Sequence, residues 1–237
     1  MSAPCLELVD VTAGYGPIMA IHGVTLTVHH GEIVALLGPN GGGKSTTIQV
    51  CAALLPMQTG NLRLGGRSVT GSTPHGLARA GVCTIPEGHG VFPNLTVREN
   101  LLMATHTGMS LAEIEERTYA RFPDLGERPT QLAGTMSGGQ QQMLAMSRAL
   151  ATDPAVLLLD ELSMGLAPII VGQLYETVAQ VAADGVAVLL AEQFARSILG
   201  IADRAAIMLH GRITRVGPPD EVADELSAAY LGGKVPT

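Results

Sequence analysis

Between two apolar runs, residues 38–46 read Gly-Pro-Asn-Gly-Gly-Gly-Lys-Ser-Thr. The fixed spacing of Gly38, Gly43, Lys44 and Ser45 is that of a loop that wraps phosphate, and such a loop works only between a strand and a helix. Both neighbours are present. Glu32–Leu37 is short, apolar and β-prone, and Thr46–Leu55 is predicted to be helical. Gly38, Gly41, Gly42 and Gly43, with Pro39 and Asn40 among them, let backbone N–H groups converge on an anion where a Cβ would intrude. The helix N-terminus at Thr46 adds unpaired donors and partial positive charge. Lys44 can reach the β- and γ-phosphates of a nucleotide, and the Ser45 hydroxyl can hold Mg²⁺. Lys44 is also the only lysine before Lys234; every other basic residue is Arg or His. An arginine bias explains the scarcity, but not why a lysine stands here.

Composition narrows the partners. The chain has 237 residues, enough for one large domain or a core with a subdomain. A net charge of −7 argues against a nucleic-acid footprint built on general basicity. The 46% apolar and 15% charged content favours exposed apolar patches for protein partners. No run has the length of a membrane span, and the N-terminus lacks the basic and apolar segments of a signal peptide. Cys5, Cys51 and Cys83 are odd in number and far apart, which reads as reduced, buried thiols in a cytosolic protein.

Along the chain, strands are predicted within residues 5–37, at Asn61–Leu64, Gly81–Ile85, Ala155–Leu159 and Val186–Leu190, and at Arg204–Leu209 and Arg212–Val216 around a His210-Gly211 turn. Helices are predicted over 97–122, over Ser137–Ala151 and at about 168–183. Strands alternating with helices give an α/β core. The strands near the N-terminus read as an antiparallel β region, and the helix-only middle, 89–151, reads as a helical subdomain inserted between core segments 1–88 and 152–237.

Asp160 and Glu161 follow an apolar run of the buried-strand type, where α/β sheets bind ligands. An acidic pair there can be a plain turn. Beside a phosphate loop, Asp160 can hold Mg²⁺ and Glu161 can polarise a water for attack on the γ-phosphate. Residues 136–142, Met-Ser-Gly-Gly-Gln-Gln-Gln, open a helix with Ser137 and Gln140 in capping-box spacing. Two glycines at a helix start also make an anion site. A second such site makes sense if it serves another chain's nucleotide.

Taken in this order, the motifs resemble the ATP-binding subunits of ABC transporters over essentially the whole chain. Ser137-Gly138-Gly139-Gln140 is similar to their signature motif, and Leu159-Asp160-Glu161 to the end of their Walker B strand. The resemblance implies a phosphate-loop NTPase core of ABC type that binds ATP and Mg²⁺. It also implies a head-to-tail pair of subunits, each ATP lying between one phosphate loop and the partner's signature motif. It assigns Tyr15 to stacking on adenine, although between Gly14 and Gly16 it can also be a turn aromatic. Within the family the chain resembles the F-type ATPase of branched-chain amino-acid importers, on Gly14-Tyr-Gly16, Ile85-Pro-Glu-Gly88, Val91–Val97, Met136–Gln142, Gly165-Leu-Ala-Pro168, Ala191-Glu-Gln193 and Tyr230-Leu-Gly-Gly233.

Against the general family pattern, Glu87 replaces a loop glutamine that contacts Mg²⁺ and the attacking water, and Gln193 replaces a switch histidine at the γ-phosphate; the branch shares both changes. A glutamine amide donates a hydrogen bond but carries no proton. Glu87 places negative charge beside a polyanion. Leu162 and Gly42 also depart, from a usual proline and a common alanine, and read as tuning of backbone stiffness. The resemblance implies two permease chains docking near residues 87–105, a second ATPase subunit that is either a different chain or another copy of this one, an indirectly linked solute-binding protein, and a peripheral place on the inner face of the membrane. Phe92, Pro93 and Leu95 are either part of that docking surface or core. An importer of urea or short amides, a soluble ABC ATPase and an inactive nucleotide-binding partner are the other readings. Intact Lys44, Asp160 and Glu161 oppose the last.

Overall fold

The computed structural model describes residues 3–88, 90–193, 198–222 and 225. The Tyr230–Gly233 phrase lies outside them. Among the described residues there are two sheets. The first is antiparallel, built from β1 (Leu6–Tyr15), β2 (Ile18–Val28), β4 (Met57–Leu64) and β5 (Arg67–Ser68) in the order β2-β1-β4-β5. The second has six strands: β3 (Ile33–Leu37), β6 (Val82–Ile85), β7 (Val156–Asp160), β8 (Ala187–Glu192), β9 (Arg204–Leu209) and β10 (Arg212–Gly217). Its order is β10-β9-β3-β8-β7-β6, parallel except for β10, which returns from β9 through the His210-Gly211 turn.

Strands β3, β7 and β8 are buried at every position, as their unbroken apolar runs require. Successive side chains enter different cores. Ile33, Ala35, Leu37, Leu157, Leu159, Val188 and Leu190 face a helical layer. Val34, Leu36, Val156, Leu158 and Leu189 face α1 (Lys44–Cys51) and the antiparallel sheet. The helical layer includes α3 (Val97–Leu102), α4 (Leu111–Arg121), α5 (Pro123–Gly126), α6 (Gly138–Leu150) and α7 (Pro168–Ala183). Helix α2 (Pro74–Arg79) is short, and the sequence reading omitted it despite its Thr73 cap and Pro74 at the first position.

Three expected elements change. Helix α1 stops at Cys51, not Leu55, because Ala53 takes a left-handed conformation (φ 55°) and Pro56 holds Leu55 away from the helical region. Strand β4 starts at Met57, four residues before Asn61, and pairs with β1 across an irregularity at Val9–Thr12. Gly60 (φ 96°) makes that pairing possible; a Cβ there would lie 2.5 Å from the Asp10 carbonyl oxygen. The helix expected over 97–122 is broken. A 3-10 turn at Met103–Thr107 and left-handed Gly108 end the first part, and Ser110 with Glu113 forms a capping box that starts α4.

Candidate functional site

Register places the candidate groups along one edge. Leu37 pairs with Glu192, Asp160 with Ala191, and Ile85 with Leu159. The loops leaving β3, β8, β7 and β6 therefore emerge side by side at the carboxyl ends of the parallel strands. They carry the phosphate loop, Gln193, Glu161 and Glu87.

The phosphate loop spans residues 38–43 and is braced from behind. A Cβ on Gly38 would overlap the Met208 carbonyl oxygen, and one on Gly42 would stand 2.9 Å from the Pro39 oxygen and 3.0 Å from the Met208 oxygen. Gly42 is thus a matter of space rather than backbone stiffness. Gly41 differs from both. It is exposed, and no atom lies within 4 Å of the place its Cβ would take. Its left-handed backbone (φ 76°), which turns the exposed tip of the loop beside Asn40, is what calls for glycine there. The Gly211 N–H donates to the Gly42 carbonyl at 2.9 Å and its own carbonyl accepts from His22 N–H at 2.8 Å. The hairpin turn, which the sequence reading gave no role, supports the loop.

Lys44 opens α1 and is 3% exposed. Its ammonium donates to the carbonyls of Gly38 (3.0 Å) and Pro39 (3.2 Å), and Glu161 Oε1 lies 3.6 Å away. Three donors thus meet two carbonyls and a carboxylate. Ser45 Oγ donates to Asp160 Oδ1 at 3.0 Å. Burial raises the Asp160 pKa most; the charges of Glu161 and Glu87 add to it, while Ser45 and Lys44 oppose. Glu87 is exposed, yet close enough for Asp160 to feel its charge. Glu161 is 7% exposed and left-handed (φ 50°), and its N–H donates to Ala191 O at 2.9 Å. Such a conformation in a non-glycine residue persists only when its surroundings hold it. Leu162 is a core side chain, so its role is packing rather than stiffness. Gln193 is half-buried, one residue past β8. An Mg²⁺ ion suits the Ser45–Asp160 pair: the donors are oxygens, and a cation relieves a carboxylate whose charge is disfavoured by burial.

Tyr15 ends β1 and is 50% exposed, and its hydroxyl donates to Gln49 Oε1 of α1 at 2.8 Å. The arrangement leaves an accessible aromatic face beside the helix that starts at Lys44.

Ser137–Gln140 stands apart, at the start of α6, which packs on α3, α5, α7 and β6. Ser137 accepts from Gln140 N–H at 3.4 Å, and Gln140 Oε1 accepts from Ser137 N–H at 3.1 Å. Ser137 and Gly138 are exposed, whereas Gly139 is buried against Ile170, whose Cγ2 a Cβ would approach to 2.5 Å. Met136 is buried beneath the motif.

A further surface lies beyond Glu87. Phe92 is 42% exposed beneath the Arg148 guanidinium, 4.5 Å from its ring centroid; Pro93 is exposed and Leu95 half-buried. Arg148 also donates to Gly90 O at 2.7 Å. Asn100, missed in the sequence, is fully buried and pins this loop: it accepts from Phe92 N–H at 2.8 Å and donates toward the carbonyls of Phe92, Leu95 and Thr96. Its signal is a polar residue on the buried face of a capped apolar helix. A groove of about 210 Å³ beside it is lined by Ile85, Pro86, Met103 and Arg148. A cleft of about 740 Å³ lies elsewhere, between α4 and α7, away from the candidate groups at the sheet edge. The three cysteines are free, and burial pushes Cys51 up to about 12, as suits an inert thiol. Among the described residues, no helix is long and apolar enough to cross a membrane.

The family model described as "ABC transporter" matches residues 21–163. The branched-chain amino acid transport ATP-binding protein BraG of Pseudomonas aeruginosa is 42% identical over 232 residues, covering 96% of this chain and all of the relative. The probable branched-chain amino acid transport ATP-binding protein LivF of Archaeoglobus fulgidus is 34% identical, covering 92% and 94%. The lipopolysaccharide export ATP-binding protein LptB of Acidithiobacillus ferridurans is 32% identical, covering 96% of each. Among solved structures, an ATP-binding cassette of an ABC transporter superposes with a TM-score of 0.86 at 25% identity over 98% of both chains. An ATP-binding subunit of an ABC transporter does so with 0.81 at 29%, over 94% and 93%. With the phosphate loop, the buried Asp160–Glu161 pair and a fold that matches these cassettes from end to end, the chain belongs to the ABC transporter family, as one of its ATPase subunits.

Proposed function

We propose that this subunit hydrolyses ATP to drive import of branched-chain or related hydrophobic amino acids through a membrane permease. The grouping of Lys44, Ser45, Asp160 and Glu161 at one sheet edge carries the chemistry. The substrate class rests on likeness to BraG over nearly the whole chain, higher than to LptB.

Backbone N–H groups of the loop 38–43, Pro39 excepted and Gly41 at the exposed tip among them, and the Lys44 ammonium bind the β- and γ-phosphates. Thr46 extends the helix start beneath them. Tyr15 stacks on adenine. Ser45 and Asp160, with Glu87 nearby, hold Mg²⁺, which supplies charge neutralisation at the phosphates. Glu161 orients the attacking water and accepts its proton. The Gln193 amide donates to the γ-phosphate; it transfers no proton at any working pH. Ser137–Gln140 completes the site of a second subunit, so that two ATPs lie between head-to-tail partners. The Phe92–Met103 surface receives cytoplasmic segments of the two permease chains. The assembly sits on the inner face of the membrane, with a solute-binding protein linked only through the permease.

The decisive experiment reconstitutes the subunit with its permeases and a second ATPase in vesicles, then follows ATP-dependent uptake. Leucine uptake that stops on Glu161→Gln is the expected result. Uptake of urea or acetamide in its place would select the amide-importer alternative, and turnover indifferent to the membrane partners would favour a soluble ATPase.

A further inference from the structure

Glu192 ends β8 with its side chain 2% exposed. Its Oε1 accepts from the Ser163 N–H at 3.0 Å and from the Tyr175 hydroxyl at 3.0 Å, and its Oε2 accepts from the Ser163 hydroxyl at 2.9 Å. A carboxylate so deeply buried needs partners of this kind. Burial raises its pKa most, the bonds from Ser163 and Tyr175 oppose the shift, and the Glu161 charge adds to it. The Tyr175 hydroxyl is raised by burial and by Glu192, so it stays protonated and donates.

The position of this cluster matters more than its strength. Ser163 is two residues past Glu161, and Glu192 is one residue before Gln193. One residue further back, the Ala191 carbonyl accepts from the Glu161 N–H. The segment carrying the water-orienting carboxylate is therefore tied at both ends to the segment carrying the phosphate-contacting amide. Tyr175 ties the same point to α7. Between the ties sits Glu161, in a left-handed conformation that its surroundings must maintain.

We infer that Glu192 is a positioning residue for hydrolysis: by clamping Ser163 and Tyr175 onto the end of β8, it sets the Glu161 carboxylate and the Gln193 amide relative to one another across the reacting phosphate. This rests on the reading of Glu161 as the group that orients water. A misplacement of about 1 Å at a reacting group costs on the order of 100-fold in rate, whereas phosphate binding by the rigid loop 38–43 does not depend on the clamp.

The test measures ATP turnover and nucleotide affinity of the full chain, assembled with its partner subunits, for Glu192→Leu, Glu192→Gln, Ser163→Ala and Tyr175→Phe. Glu161→Gln serves as a control. Glu192→Leu removes both acceptors at once; kcat is expected to fall at least tenfold while KM and nucleotide Kd stay within twofold. Glu192→Gln loses less, because its amide oxygen still accepts from the Ser163 N–H and its amide nitrogen can donate to the Ser163 hydroxyl. Ser163→Ala, which keeps its backbone bond, also loses less. Combining it with Glu192→Leu costs no more than Glu192→Leu alone, because both break one clamp. Glu192→Leu that is folded with normal kcat, or with raised KM at constant kcat, overturns the inference. If that variant does not fold, unchanged kcat in both Ser163→Ala and Tyr175→Phe overturns it instead. Turnover that survives Glu161→Gln removes the underlying reading. Turnover lost in Glu161→Gln but intact in the clamp variants removes the clamp alone.

Discussion

The two candidate anion-binding corners of this chain are built on opposite plans. At the phosphate loop, Lys44, Asp160 and Glu161 are almost wholly buried, Lys44 bonded to the loop carbonyls beside Glu161 and Asp160 bonded to Ser45, and the loop is backed by the β9–β10 hairpin. At the signature corner, Ser137 and Gly138 lie open to solvent, and the polar order is chiefly the helix cap that Ser137 and Gln140 give each other. The first corner is pre-organised for chemistry, with buried charges in fixed places and an Asp160 carboxylate whose ionisation burial already disfavours. The second is a helix start held in place from below by Ile170 and Met136 and otherwise uncommitted. The difference fits one corner that acts on its own nucleotide and one that waits for a nucleotide brought by a neighbour.

Variants can break or sharpen this contrast. The largest effect is expected from Glu161→Gln, which removes the proton acceptor from the buried corner: turnover should fall about a thousandfold with nucleotide binding kept, measured by phosphate release and by trapping of a nucleotide-bound dimer. Ser137→Ala attacks the open corner. It should cost turnover about tenfold to a hundredfold, yet leave nucleotide affinity of the isolated chain untouched and stability lower by only about 1 kcal/mol for the lost cap. An equal loss of affinity in the monomer would erase the distinction between the corners.

Smaller effects probe the supports. Gly139→Ala forces a Cβ against Ile170 and should lower stability by about 1–3 kcal/mol in denaturant unfolding, with Ile170→Ala restoring part of it. Asn100→Ala strands the Phe92 N–H and should cost a similar 1–3 kcal/mol, roughly, while weakening permease association. The smallest concerns pH. Asp160 has a raised pKa, so the native chain holds its proton to higher pH than the unfolded chain does. Stability is therefore lost as pH rises from the ordinary carboxylate range through the raised value. Asp160→Asn should raise Tm at neutral pH in the absence of Mg²⁺, and the gain should vanish as pH falls below that range. A gain that grows towards acid pH would contradict the burial argument.

Much of this was legible in the residues. The glycine–lysine–serine loop, the apolar strand ending at Asp160 and the capped start at Ser137 each carry a local signal, because each depends on backbone conformation that nearby residues dictate. The misreadings are of another kind. Ala52–Leu55 is apolar enough to prolong α1, but Pro56 and the pairing of β4 with β1 end the helix first. Residues 97–122 hold helical periodicity throughout, yet Gly108 and the Ser110 cap divide them. Within the phosphate loop, glycine answers to causes that the sequence does not show, crowding by Met208 at Gly38 and Gly42 and a left-handed turn at Gly41. Asn100 and Glu192 went unremarked because a polar residue in an apolar run shows its purpose only when its partners, distant by up to 29 residues, come into range.

By itself, the order of residues determined that a glycine-rich loop ending in Lys44 and Ser45 stands between a strand and a helix, that the chain has an α/β core, and that it carries a second helix-start motif. Those are matters of local backbone geometry and of hydrophobic period. Only the tertiary structure decided which groups meet: that the Met208 carbonyl leaves no space for side chains at Gly38 and Gly42, that Lys44 bridges its own loop and Glu161, and that Glu192 joins Ser163 to the end of β8. Burial and hydrogen bonding act between residues far apart in the chain, and their strength depends on distances that exist only once the sheets have closed.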